Sequence, residues 1–189
     1  YAIQKATQEQ MVLSVCNAYG IPAVALRYFN VYGPRQSLSN PYTGVAAIFM
    51  SRIKNDNQPI IYEDGLQTRD FVSVHDIVQA NMLAMKSSSA NNQIFNVGSG
   101  AVTTIKNVAD ILIKVLGKDM ATNITNKFRN GDVRHCFADI SKIKKALDYS
   151  PSVTFEQGMQ ELVQWSETQN AVDKVDQATD ELRDKGLME

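Results

Sequence analysis

IPAVALRYFNVYGPRQ, residues 21–36, decides how this 189-residue chain folds. Residues 21–29 are short, apolar and rich in β-formers, which predicts one buried strand. Residues 30–36 then turn on Gly33-Pro34. Before the strand, Ala2, Ala6, Met11, Val12, Val15 and Cys16 recur at helical spacing until Gly20 stops the run, so residues 1–19 are predicted to be a helix. After it, residues 44–56 read as another helix.

The alternation continues outward. Residues 58–65 and 69–74 read as strands, and Ser73-x-x-Asp76 matches the capping box of a helix over residues 76–87. Residues 92–100 read as a strand ending in glycines, and 104–117 as an amphipathic helix. Residues 141–148 form a short helix, a long one begins at Phe155, and the tail from Ala171 is polar, charged and helical. Strands alternating with helices predict α/β architecture with parallel pairing. A glycine-rich opening turn after a first strand, G-x-x-G-x-x-G, is missing from the sequence. Gly98-Ser99-Gly100 follows a strand but lacks the third glycine, which favours a plain turn over a phosphate cradle.

Composition narrows the function. Apolar residues make up 44% of the chain, enough for a real core. With 19 basic against 20 acidic residues and a net charge of −1, nothing pulls the chain toward nucleic acid or an anionic membrane. No apolar run reaches bilayer-spanning length, and no signal peptide is visible. Cys16 and Cys136 make no disulfide framework, so a reducing cytoplasm is the expected location. His75 and His135 are too isolated for a metal site, and none is expected.

Tyr1 and Lys5 share one helical face in the spacing Y-x-x-x-K. Alone, that pair is either catalytic or two ordinary residues of an amphipathic helix. Together with LRYFNVYGPRQ (26–36) and RDFVSVHDI (69–77), in this order and spacing, it resembles the extended short-chain dehydrogenase/reductases. More narrowly, residues 1–165 resemble the NAD-dependent sugar-nucleotide epimerase/dehydratase family. The resemblance implies the C-terminal part of a Rossmann-like doubly wound fold plus a small α/β substrate-binding region. Residues 1–43 would end the NAD-binding region, 44–165 would mainly bind sugar nucleotide, and 166–189 would be a charged helical tail. The family's NAD-binding N-terminal half would lie upstream of Tyr1.

The family oxidises a sugar carbinol reversibly with NAD. A free tyrosine is a poor base at neutral pH, and a neighbouring ammonium stabilises its phenolate. The resemblance makes Tyr1 the base and Lys5 the source of that charge and a contact of the nicotinamide ribose. It places the backbone at Tyr28 against the nicotinamide carboxamide and the Asn30 side chain against the substrate diphosphate. Arginine forks suit a diphosphate, and the motifs RDF and R-x-G-D assign it Arg69 and Arg129, with Asp132 on a ribose hydroxyl. Gly44 and Val45, opening a helix, offer N–H groups to phosphate. Ile60 and Tyr62 match positions flanking the base. Tyr62 fits a stacking ring and a half-buried edge strand equally well.

The segment YGPRQSLSNPYTGVAAIF resembles epimerases more than dehydratases. The tail and RHCFAD look like dTDP-L-rhamnose 4-epimerases, with UDP-glucose 4-epimerases close by. Cys136 and Phe71 depart from tyrosines that the better-known UDP-galactose 4-epimerases carry, which leaves sugar and base open. The expected activity of the intact enzyme is 4-epimerisation of a nucleoside-diphosphate sugar through a 4-keto intermediate, as a homodimer. A 4,6-dehydratase is the alternative, and this chain alone could be an inactive substrate-binding fragment.

Overall fold

The computed structural model describes residues 1–40, 44–128 and 131–186. Helix α1 (Ala2–Ala18) precedes strands β1 (Val24–Tyr28) and β2 (Asn30–Tyr32). Helix α2 (Val45–Lys54), β3 (Ile60–Ile61), β4 (Thr68–Arg69), β5 (Phe71–Ser73) and α3 (Val74–Lys86) follow. A 3-10 turn at Ser88–Ala90 leads to β6 (Gln93–Val97), β7 (Thr103–Thr104) and α4 (Ile105–Val115). The chain ends with β8 (Asn123–Ile124), β9 (His135–Cys136), α5 (Ser141–Leu147), α6 (Phe155–Ser166) and α7 (Val175–Asp184). Parallel pairing dominates: β1 with β6, β2 with β5, β3 with β8 and β4 with β9, while β4 meets β7 antiparallel. The α/β class expected from the alternation is the observed one.

Residues 21–29 do not form one strand followed by a turn. The chain steps sideways at Phe29. Its N–H still reaches Val97 O (3.2 Å), but Asn30 N–H donates to Asp70 O (2.9 Å), so β2 leaves β6 for β5. The turn at Gly33-Pro34 therefore starts three residues later than the apolar run suggested. Residues 69–74 divide in the same way, with Asp70 as the step between β4 and β5.

The β2–β5 ribbon separates two cores because strand side chains alternate in direction. Tyr32 and Phe71 face one core with Met50, Ile53, Val108, Leu112, Met159 and Leu162. Val31 and Val72 face the other with Ala80, Phe95, Val97, Ile143 and Tyr149. Phe155 packs edge-on to Tyr32, with ring centroids 5.7 Å apart. A Cβ on Gly158 would lie 2.1 Å from the Tyr32 hydroxyl oxygen, so this turn of α6 is glycine because Tyr32 lies against it.

Two capping expectations change. Ser73 Oγ accepts from His75 N at the start of α3, but Asp76 does not return the bond. Its buried carboxylate accepts from Ser152 N (2.8 Å), Ser152 Oγ (3.1 Å) and Val153 N (3.4 Å), fastening the segment before α6. The reciprocal box forms instead at Thr154 and Gln157. The long C-terminal helix is two, because α6 stops at Ser166 and a loop precedes α7.

Helix α1 buries none of its side chains. Met11, Val12 and Val15 are at least half exposed, so they do not pack into this chain's own core. A two-pronged pair, Arg27 Nε and Nη2 to the Glu9 carboxylate (2.7 Å each), ties α1 to β1. Helix α3 likewise exposes Val78, Met82 and Met85. Among the described residues no helix is long and apolar enough to cross a membrane.

Candidate active site

Arg69, nominated for a diphosphate, and Asp132, nominated for a ribose hydroxyl, meet at the β7–β4–β9 sheet. Arg69 ends β4 in register with Cys136 of β9. Its Nη1 donates to the carbonyls of Thr68 (2.9 Å) and Arg134 (3.0 Å), and its Nη2 to Asp132 Oδ1 (3.0 Å). The side chain is 16% exposed against 48% for Asp132, so a mostly sheltered guanidinium presents one edge to a more open carboxylate. Asp132 Oδ1 also accepts from Val133 N (2.9 Å), which turns the carboxylate toward Arg69.

Beside this pair opens a cavity of about 450 Å³ lined by Glu63, Asp64, Asn126, Phe128, Gly131, Asp132 and Arg134. Arg134 spans its acidic wall, donating to Glu63 Oε2 (2.6 Å) and Asp64 Oδ2 (2.7 Å). The Arg134 hydrogen bond, helped by Leu66 N–H, holds the Asp64 carboxyl below the usual carboxylate range. The same bonds, to Asp64 first and then to Glu63, raise Arg134. Arg129 lies outside the described residues.

Ile60 and Tyr62 come from β3 and its exit. Ile60 pairs with Asn123 and is half-buried. Tyr62 is half-buried too, its carbonyl held by Gln67 Nε2 (2.8 Å) and its hydroxyl 3.3 Å from Thr179 Oγ1. Gly44 is the N-cap of α2, in extended conformation, and its carbonyl accepts from Ala47 N and Ile48 N. A Cβ at Gly44 would lie 3.1 Å from Gln36 Nε2. Gly44 has no side chain with which to cap α2, and the first N–H groups of a helix need partners from outside its own ladder. Val45 packs on the first core.

Tyr1 is 90% exposed at the start of α1, and Lys5 Nζ stands 5.6 Å from its ring centroid. The shared face predicted by the spacing is thus present, one turn apart. Tyr28 closes β1 with its hydroxyl donating to Asn81 Oδ1 (2.9 Å), and Asn30 opens β2, half-buried. The candidates therefore fall into separate groups: Arg69 with Asp132, Tyr1 with Lys5, and the two residues flanking the Phe29 step. No three His, Cys, Asp or Glu side chains gather as a metal site among the described residues.

The sequence reading missed Asp70, which is fully buried between β4 and β5. Its Oδ1 accepts from Ser99 N (2.7 Å) and Ser99 Oγ (2.7 Å), and its Oδ2 from Gly100 N (2.9 Å) and Ala138 N (3.3 Å). An internal carboxylate thus occupies the anion position of the Gly98-Ser99-Gly100 turn. The signal was available: an aspartate between the nominated arginine and the apolar pair Phe71-Val72. A Cβ on Gly98 would meet Asp70 Oδ2 at 2.5 Å, so the first glycine admits that carboxylate rather than a ligand. Tyr149 donates to Gly98 O (2.9 Å) from the second core, and burial raises its phenol.

A family model described as GDP-mannose 4,6 dehydratase matches residues 1–162. The dTDP-L-rhamnose 4-epimerase of Burkholderia thailandensis is 37% identical over 166 residues, covering 87% of this chain and 45% of that protein. Among solved structures, a UDP-N-acetylglucosamine 4-epimerase from Methanobrevibacter ruminantium, in complex with UDP-N-acetylmuramic acid, is 40% identical with a TM-score of 0.83. It covers 90% of this chain and 54% of its own. The Thermus thermophilus UDP-glucose 4-epimerase, in complex with NAD, is 30% identical with a TM-score of 0.77, over 90% and 54% of the two chains. The chain spans about half the length of the curated relatives it matches. By this match, its Rossmann-type neighbours and the motifs quoted above, the chain belongs to the family of NAD-dependent sugar-nucleotide epimerases and dehydratases.

Proposed function

We propose that this chain carries the nucleotide-sugar side of an NAD-dependent 4-epimerase acting on a nucleoside-diphosphate sugar through a 4-keto intermediate. The observation that carries the reading is the Arg69–Asp132 pair at 3.0 Å, because it joins a sheltered guanidinium to a carboxylate at the rim of a cavity. A diphosphate has two anionic groups for Arg69 and, from the R-x-G-D motif, for Arg129. Asp132 accepts from a ribose hydroxyl while still holding Arg69. Asn30 and the first N–H groups of α2, at Gly44 and Val45, add neutral donors. Ile60 and Tyr62 flank the base.

The chain's residues fit one end of NAD. The phenol of Tyr1 has a cation beside it at Lys5, and the backbone at Tyr28 ends a parallel strand, where ligands of open sheets sit. The glycine turn after β6 does not fit the pyrophosphate, since its N–H groups are spent on Asp70. Bound there, NAD would supply reversible hydride acceptance at C4 of the sugar. Tyr1 Oη, as the phenolate that Lys5 stabilises, removes the proton of the 4-hydroxyl and, as the neutral phenol, gives it back. Arg69, Arg129 and Asp132 hold the nucleotide while the keto-sugar turns its other face.

The names of the relatives favour epimerisation, while the description of the matching family model keeps 4,6-dehydration as the second reading. Isothermal titration of the chain with dTDP-L-rhamnose and UDP-glucose tests the site. Both nucleotides are expected to bind, and Arg69→Gln is expected to weaken them at least about tenfold, the effect of losing hydrogen bonds to a charged group. Affinity unchanged in Arg69→Gln overturns the assignment.

A further inference from the structure

The family match ends at residue 162, yet the chain continues through a loop into α7, and that segment is fastened polar group by polar group. Lys54 Nζ donates to Ser166 O, Asn55 Nδ2 to Ala171 O (2.9 Å), and Asn57 Nδ2 to Asp173 Oδ2 (2.8 Å). The strongest tie is Arg52, whose side chain is 8% exposed. Its Nη1 lies 3.0 Å from Asp176 Oδ1 and 3.3 Å from Asp173 Oδ2, and its Nε donates to Gln58 O (2.8 Å). A sheltered guanidinium with fixed partners specifies one seat for α7, since losing the carboxylates leaves a charge unpaired.

That seat brings Thr179 to Tyr62. Thr179 Oγ1 donates its own proton to Val175 O (2.8 Å), one turn back. Its lone pairs are therefore what face the Tyr62 hydroxyl 3.3 Å away, and the phenol is the donor. With Gln67 Nε2 on its carbonyl, the Tyr62 residue is held at both ends: backbone below, hydroxyl above. A ring offered to a base must present one face, and a bond to its hydroxyl limits how the ring turns and tilts.

We propose that α7 completes the base end of the nucleotide site, with Thr179 as a positioning residue for Tyr62 and the Arg52–Asp173–Asp176 cluster as the latch. This rests on the assignment of Tyr62 to the base made above. A helix that only covered α2 would need the latch but not the contact to Tyr62.

Titration calorimetry with dTDP, UDP and base-free inorganic pyrophosphate separates the cases. Thr179→Val, which keeps shape and removes the acceptor, is expected to weaken dTDP and UDP roughly three- to tenfold and leave pyrophosphate unchanged. Thr179→Ser is expected to restore affinity. Asp176→Asn, which loosens the latch at a surface carboxylate, is expected to shift the nucleotides in the same direction. Equal nucleotide affinity in Thr179→Val and the parent chain overturns the role of α7 and leaves the site assignment standing. An equal loss for pyrophosphate also overturns it, since the effect is then not at the base. A parent chain that binds pyrophosphate but neither nucleotide overturns both readings.

Discussion

Asp70 accepts hydrogen bonds from two backbone N–H groups at the glycine turn, from Ser99 Oγ and from Ala138 N, all in a fully buried setting. An asparagine there keeps one acceptor oxygen and aims two N–H donors at donors. Asp70→Asn is expected to destabilise the chain by about 2–3 kcal/mol, read by urea unfolding. A change within the ordinary surface range, about 0.5 kcal/mol, contradicts this account of the turn. Asp64 gives a pH prediction. Its carboxyl is depressed in the folded state, so the Arg134–Asp64 tie is present above the ordinary carboxylate value, about 3.9. It is lost as pH falls through the lower folded value. The Asp64 titration midpoint by NMR is expected below that of the same residue in a short peptide, and Arg134→Gln is expected to raise it toward that value, with the Leu66 N–H bond still in place.

Among elements, α1 stands apart. It buries no side chain, and the tie from Glu9 to Arg27 is on the surface, where such pairs contribute little. Hydrogen exchange is therefore expected to be faster in α1 than in α4 or α6, whose Leu112 and Leu162 are fully buried. Equal protection contradicts this. The elements also show what the sequence carries. Helical periodicity over residues 1–19, 104–117 and 141–148 located α1, α4 and α5 closely, because period and end signals are local. The break at Phe29 was not legible, because no glycine or proline marks it. The chain changes partners there as Asn30 N donates to the carbonyl of Asp70, a residue distant in sequence. Asp76 was misread for a related reason: its partners, Ser152 and Val153, are distant in sequence. The Tyr1–Lys5 and Arg69–Asp132 pairs were nominated from motifs, while the contact of Tyr62 with Thr179 needed the fold to bring the tail to β3.

At the scale of the whole molecule, α1 exposes Met11, Val12 and Val15, and α3 exposes Val78, Met82 and Met85. Exposed apolar faces of this kind drive association. Sedimentation velocity on the 189-residue chain is expected to show concentration-dependent self-association, weakened by Val15→Lys. A monomer at all concentrations contradicts the proposed homodimeric habit. The nucleotide site is tested most directly by a crystal structure of this chain with dTDP bound. The diphosphate is expected within hydrogen-bond distance of the Arg69 guanidinium and a ribose hydroxyl on Asp132, at the rim of the cavity beside Asp64 and Arg134. A nucleotide bound elsewhere, with the Arg69–Asp132 pair untouched, would contradict it.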